Sequence, residues 1–347
     1  MARLAQLVAD NYRACTWDLR DNAAGRKYWC DHFREHYHVL PPLIREVYPR
    51  ATEGQLAGLA AEYRALYDDI EAHPERYGHV DVLLMDEVRG ALLARYGFDD
   101  PFAGIKRRED EAALALLPGV LAELDAATPE ERCAQLVLGL MAGNIFDLGA
   151  QATIARYRNG DAGFAQARRA TPARPWFCDD VAAWWARWEA RPCEHVLFFA
   201  DNAGSDLVLG CLPLVRWMLQ AGARVTLAAN SGPALNDITA AELTPLLECC
   251  AGLDGVLGEA HAAGRLCVVA TGNAAPLIDL TRLTPECVSA TQDADLVWLH
   301  GMGRAIESNL YARFGCDAAW TAVLKDDEVA TRMGGKLFDC VFRFRVA

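Results

Sequence analysis

The sequence predicts an α/β protein: a helical N-terminal region followed by a doubly wound, mostly parallel, Rossmann-like sheet. Three observations lead to this expectation. Apolar residues recur three and four positions apart through residues 1–190. From Pro192 onward, short apolar runs of strand length alternate with helical stretches. Glycines and polar side chains gather just after those runs, where open α/β sheets bind their ligands.

In the first region, TEGQLAGLAAEYRALYDDIEAH (52–73) and the stretch from Glu109 to Ala127 carry a helical apolar stripe. Breaks are expected at Pro41-Pro42, His73-Pro74, Asp100-Pro101 and Thr128-Pro129. VAAWWARWEARP closes this half. Its Trp184, Trp185 and Trp188 fall at helical spacing, which favours packing over a ligand cage. Five buried strands are then expected at HVLFFA (195–200), RVTLAA (224–229), LCVVA (266–270), DLVWLH (295–300) and WTAVLK (320–325). Helices are expected at Leu207–Gln220 and from about Thr239. LFDCVFRFRV (337–346) reads as an edge strand, antiparallel to the rest. The expected division is 1–190, helical and covering the active site, and 191–347, the α/β unit.

Composition narrows the function. The chain has 347 residues, 52% hydrophobic and 23% charged, which is a globular profile. No apolar run reaches the roughly 18 residues of a membrane span. The N-terminus, MARLAQLVADNYRAC, lacks a signal-like apolar stretch, so a cytoplasmic protein is expected. The twelve cysteines are scattered, without CxxC or zinc spacing, and read as free thiols, most of them in apolar surroundings. A net charge of −13 argues against nucleic acid as a partner. A small anion would need local positive charge from a metal, Lys, Arg and backbone N–H groups.

The strand ends supply those groups. Asp201-Asn202-Ala203-Gly204-Ser205-Asp206 follows the first strand; a carboxylate beside an amide carbonyl offers two hard oxygen ligands. Alone, the pair is equally a helix cap. After the second strand, Asn230-Ser231-Gly232-Pro233 forms a shaped turn, with Ser231 an expected phosphate contact. Thr239 and Glu242 form a capping box that leaves Asp237 unexplained, making it a candidate partner of Asp201 across the metal. Thr271-Gly272-Asn273 follows the third strand and His300-Gly301-Met302-Gly303-Arg304 the fourth; the latter turn can bring a guanidinium to phosphate, while His300 reads as a strand-end residue. Lys325 closes the fifth strand, as a phosphate-binding point charge or an ordinary solvated Lys. Acids, amides and two cations on one sheet edge suit metal-assisted phosphoryl transfer. GxxxxGK[ST], GxGxxG after a strand, and GxSxG are all absent. DHFREHYH lacks HExxH and reads as a helix surface.

FADNAGSDLVLGCLPLVRWMLQAGARVTLAANSGPALNDIT resembles the damage-control phosphatase family, long called domain of unknown function 89. Within it, the likeness is to the branch of the phosphatase domain of pantothenate kinase 4 and its plant relatives. DPFAGIKRREDEAALALLPGV, GLMAGNIFDLGAQA, the HGMGR loop and AVLK…RMGGKLF share the likeness in the same order, over most of residues 80–345. The resemblance implies a metal on Asp201, Asn202 and Asp237, as manganese, cobalt, nickel or magnesium. It implies substrate-side roles for Asn144 and Asp147 in the GN-x-FD motif, and phosphate-side roles for Arg304 and Lys325. The branch usually reads EGMGR; His300 here replaces the Glu.

The expectation is therefore a free-standing, metal-dependent phosphomonoesterase acting on a small phosphorylated metabolite, with 4'-phosphopantetheine or its oxidised or damaged forms implied by the resemblance. Asp206 is expected to orient the site or act as a base. Attack by water and a covalent aspartyl-phosphate on Asp201 both stay open. The alternatives are a sugar-phosphate phosphatase, a non-catalytic phosphometabolite-binding protein and, without a cofactor loop to support it, a methyltransferase.

Overall fold

A computed structural model describes residues 1–8, 11–145 and 163–347. The helical N-terminal region comprises α1 (Ala23–His36), α2 (Leu40–Val47), α3 (Glu53–Ala72), α4 (Val82–Arg95), α5 (Ala103–Ala126) and α6 (Pro129–Asn144), followed by α7 (Phe164–Ala170) and α8 (Val181–Ala190). Their ends follow from local chemistry. Thr52 and Thr128 each form a capping box, with Gln55 and Glu131, and Asp81 caps α4 through Leu84 N. The break expected at Pro41-Pro42 falls just before them: α1 ends at His36 and a 3₁₀ turn, Tyr37–Val39, leads into α2. The two prolines occupy the first turn of α2, where the missing N–H has no intrahelical partner to lose.

Seven strands form one sheet: β1 (Cys178–Asp179), β2 (His195–Phe199), β3 (Arg224–Ala229), β4 (Leu266–Ala270), β5 (Leu296–His300), β6 (Asp317–Val323) and β7 (Cys340–Arg345). Their order is β1-β7-β6-β5-β2-β3-β4. Strands β2 to β6 are mutually parallel and β7 runs antiparallel to β6. The antiparallel sense of the last strand agrees with its alternating sequence, but its edge placement does not: Cys178–Asp179 pairs outside it. Two residues carry too little pattern to announce a strand. Successive connections depart from β2 in both directions, so the switch point lies between β2 and β5.

The sheet is buried on both faces, and each face has its own core. Leu197, Phe199, Val297 and Leu299 meet a cluster with Trp29, Phe33, Tyr63 and Tyr67 of α1 and α3. Val196, Phe198, Trp298 and Phe342 meet the cluster that includes Leu136 and Leu140 of α6 and Trp184 of α8. Each core thus draws on residues from both sides of position 190. Trp184 stands edge-on to Trp298 with centroids 5.5 Å apart and also meets Trp217 and Phe342, so the tryptophan segment is helix packing. All twelve cysteines are free, as their spacing implied. No helix among the described residues is long and apolar enough to cross a membrane.

Candidate active site

The carboxyl ends of β2, β3, β5 and β6 converge, and backbone pairing fixes the first acids. Beyond β2, Ile238 N donates to Asp201 O at 3.0 Å and Ala203 N to Asn236 O at 2.9 Å. Asn202 forms an antiparallel bridge with Asp237. These bonds stitch the loop after β2 to the loop after β3, so Asp201, Asn202 and Asp237 lie side by side, all at least 95% buried. Asn230 Nδ2 donates to Asp237 Oδ2 at 3.1 Å and to Ala275 O at 3.0 Å.

The loop after β5 passes under Asp201. Gly301 has φ +96°, and a Cβ there would lie 2.1 Å from Asp201 Cγ, so the close approach requires glycine. The next turn, Met302–Glu307, is wound as a π-helix and carries Arg304 inward. The Arg304 guanidinium binds Asp201 Oδ1 through Nη1 and Asp237 Oδ2 through Nη2, the latter at 2.9 Å. Burial disfavours its charge, but the two carboxylates outweigh that and push its pKa up.

A second hub lies behind the first. Asp206 starts another π-helical turn, Asp206–Cys211. Its Oδ2 accepts from Asn202 N (3.1 Å), Asn202 Nδ2 (3.0 Å) and Asn144 Nδ2 (3.1 Å), while Oδ1 lies 2.8 Å from His300 Nε2. Burial would raise the Asp206 carboxyl, yet His300 and then Lys325 hold it below the ordinary carboxylate value. His300 Nδ1 is 2.9 Å from Thr321 Oγ1, which accepts from Trp298 Nε1 at 2.8 Å. Asn144, fully buried at the end of α6, also donates to Asp201 Oδ2 at 3.0 Å and accepts from Val323 N at 3.2 Å. Gly143 lets α6 come this close: a Cβ there would lie 2.8 Å from Asp206 Cα.

Among the described residues, two sets of side chains around this edge have metal-ligand character. Asp201, Asn202 and Asp237 offer two carboxylates and an amide oxygen, a donor set suited to a hard divalent cation. Beside them the Asn230 amide oxygen is buried without a hydrogen-bond partner among the described residues. Asp206, Cys211 and His300 also converge, their ligand atoms within 4.8 Å of one another. There, however, burial pushes the Cys211 thiol up, and Asp206 already accepts three N–H groups beside the His300 contact. The first set fits the cation better.

Of the remaining expected residues, Lys325 is 1% exposed and near enough to lower Asp206. Ser231 is exposed, and its hydroxyl accepts from Gly272 N at 2.7 Å, tying the loops after β3 and β4. Asp147 lies outside the described residues. A cleft of about 60 Å³ opens onto Asp201 and Asp237 and is walled by Trp29 and Phe33 of α1 and Asp86 and Arg89 of α4. Arg89 is paired with Asp86 and stands 5.2 Å over the Phe33 ring. Nothing local in α4 distinguishes Arg89 from a surface arginine; only its 6% exposure does.

A family model described as the damage-control phosphatase ARMT1-like domain matches residues 41–341. The chain is 36% identical over 353 residues to a damage-control phosphatase of Arabidopsis thaliana, covering 99% of this chain and 96% of that one. It is 32% identical over 396 residues to the 4'-phosphopantetheine phosphatase of Mus musculus, covering 98% of this chain and 48% of that one. The crystal structure of a DUF89 family protein from Pyrococcus horikoshii superposes with TM-score 0.64 at 15% identity, over 94% of this chain and 98% of that one, and shares the fold.

Proposed function

The chain belongs to the damage-control phosphatase family, and from that premise we propose that it hydrolyses 4'-phosphopantetheine or its oxidised or otherwise damaged forms at the β2–β5 switch point. The observation that carries the reading is the convergence of Asp201, Asn202 and Asp237 at the sheet edge. These three would hold a hard divalent metal, with manganese, cobalt, nickel and magnesium the candidates that the family resemblance implies. Bound there, the metal supplies Lewis acidity to a phosphoryl oxygen and a more acidic water.

The other residues follow from their contacts. Asn144 and Asp206 orient the metal-binding loop: Asn144 holds Asp201, and Asp206 holds both the amide and the side chain of Asn202. Of the two expectations for Asp206, the hydrogen bonds favour orientation over base catalysis, because both its oxygens are engaged. Lys325 and Arg304 are the cations for the phosphoryl oxygens. Asp147 keeps the substrate-side role that the GN-x-FD motif implies. Ser231 can serve phosphate only if its bond to Gly272 opens. Both Asp201 oxygens are bonded, by Arg304 on one side and by Asn144 and Asn202 on the other, which favours attack by water over attack by Asp201.

A panel of phosphomonoesters assayed with and without each metal tests the reading. The expected result is metal-dependent release of phosphate, best from 4'-phosphopantetheine, and its loss in Asp201→Ala. Metal-independent turnover, or an active Asp201→Ala, refutes the site. Preference for a hexose phosphate refutes the substrate alone. Acid-quench trapping of labelled phosphate on protein would favour the aspartyl-phosphate route.

A further inference from the structure

The position of Arg304 carries an inference beyond its expected contact with phosphate. Asp201 and Asp237 come from different strand-end loops and are both nearly excluded from solvent. Neighbouring buried carboxylates repel, and each loses hydration. The guanidinium that meets them is itself 1% exposed and lies across the pair, one nitrogen to each acid. A forked cation suits this task where an ammonium would reach one acid at a time. Its backbone is fixed as well: Arg304 O accepts from Asn309 Nδ2 at 2.9 Å and from Ser308 Oγ at 3.2 Å, and Nη1 also donates to Pro276 O at 3.2 Å. Arg89 is paired with Asp86 and feels the charge of Asp237, Lys325 acts on Asp206, and Arg304 bonds both Asp201 and Asp237.

We propose that Arg304 is the resident counter-cation of the Asp201–Asp237 pair, holding the two loops together in the metal-free protein and competing with the divalent ion for their carboxylates. The proposal rests on the reading of Asp201, Asn202 and Asp237 as the metal site. With Arg304 present the carboxylate pair carries one net negative charge; without it, two. Metal binding and the arginine are therefore antagonistic, and the guanidinium displaced from the acids becomes available to a phosphoryl oxygen. The arginine thus couples metal loading to anion binding, since it offsets half of the acids' charge before the metal arrives and faces the substrate afterwards.

The test compares wild type, Arg304→Gln and Arg304→Lys, all stripped of metal. Thermal denaturation is followed with and without Mn²⁺, and Mn²⁺ affinity is measured by calorimetry. The expected result for Arg304→Gln is a lower melting temperature without metal, a larger rise on adding Mn²⁺, and a Kd for Mn²⁺ tighter by about tenfold or more. Arg304→Lys is expected to fall between. An Arg304→Gln chain that folds only with Mn²⁺ present also supports the proposal. Wild-type melting temperature and Kd in Arg304→Gln, with only inorganic phosphate binding weakened, overturn it and leave Arg304 a simple phosphate ligand. If wild type does not bind Mn²⁺, or Asp237→Asn binds it as wild type does, the metal site is wrong and this inference falls with it.

Discussion

Asp206 separates an orienting role from a chemical one, because the two make opposite demands on stability. Its carboxylate takes three N–H groups and the His300 contact, at 2.8–3.1 Å, in a position 2% exposed. Hydrogen bonds to a buried charge are worth about 1.5–3 kcal/mol each and neutral ones about 1 kcal/mol. Asp206→Asn keeps the shape. Its oxygen can face Asn144 and Asn202 while its NH₂ faces His300, whose proton moves to Nδ1 and is donated to Thr321. The change is expected to cost about 2–4 kcal/mol through weakened bonds. Asp206→Ala strands those donors and is expected to cost about 4–8 kcal/mol. Because the hold on Asn202 is weakened in Asp206→Asn and lost in Asp206→Ala, metal affinity should fall about 10-fold in the first and about 100-fold in the second. Urea denaturation of the metal-free proteins and calorimetric metal titration read these effects. If Asp206 is instead the base, Asp206→Asn loses kcat and the acid limb of the pH–rate profile while keeping wild-type stability and metal affinity. That result, or an Asp206→Ala within about 1 kcal/mol of wild type, refutes the orienting role.

Other substitutions test the surrounding contacts. Gly301→Ala places a methyl 2.1 Å from Asp201 Cγ at φ +96°, so metal binding and turnover should fall at least about 100-fold with circular dichroism retained. His300→Glu sets a second carboxyl against Asp206; one of the two must take up a proton, and metal affinity and turnover at neutral pH should drop, measured against His300→Gln as the control. Asp110 is pushed up to about 6 by burial, only partly offset by the hydrogen bond from Gly204 N. Its folded pKa is raised, so its contribution is fully present below about pH 4 and is lost as pH rises through about 6, amounting to about 3 kcal/mol. Asp110→Asn keeps the bond to Gly204 and should flatten that slope, with melting temperatures at pH 5 and pH 7 closer together than in wild type.

Much of the architecture is legible along the chain because its signals are local. Each core strand is a continuous apolar run, and several helix starts have their cap written beside them: Thr52, Thr128 and Thr239 all bond the residue three positions on. The strand ends also mark the acids, amides and cations of the site, since in a parallel sheet every crossover returns the chain to the same edge. The replacement of Glu by His at position 300 is legible too, but its consequence is not. That depends on Asp206, 94 residues earlier in the chain, lying 2.8 Å away.

What the sequence determined by itself was the alternation of helix and strand, the approximate place of the core strands and the identity of the side chains near their ends; it set the strand before Lys325 at 320–325, where the structure has Asp317–Val323. These follow from periodicity and residue chemistry over a few positions. Tertiary structure alone decided the partnerships. The order β5-β2-β3 and the bridge between Asn202 and Asp237 place two acids where one guanidinium reaches both. The close approach at Gly143 turns Asn144, which reads locally as the end of a helix, into a buried clamp on Asp201 and Asp206. Cys178–Asp179 becomes a strand only because β7 offers it an unpaired edge. In each case the deciding energy is a hydrogen bond or charge pair between segments far apart in sequence, and no pattern within either segment encodes its partner.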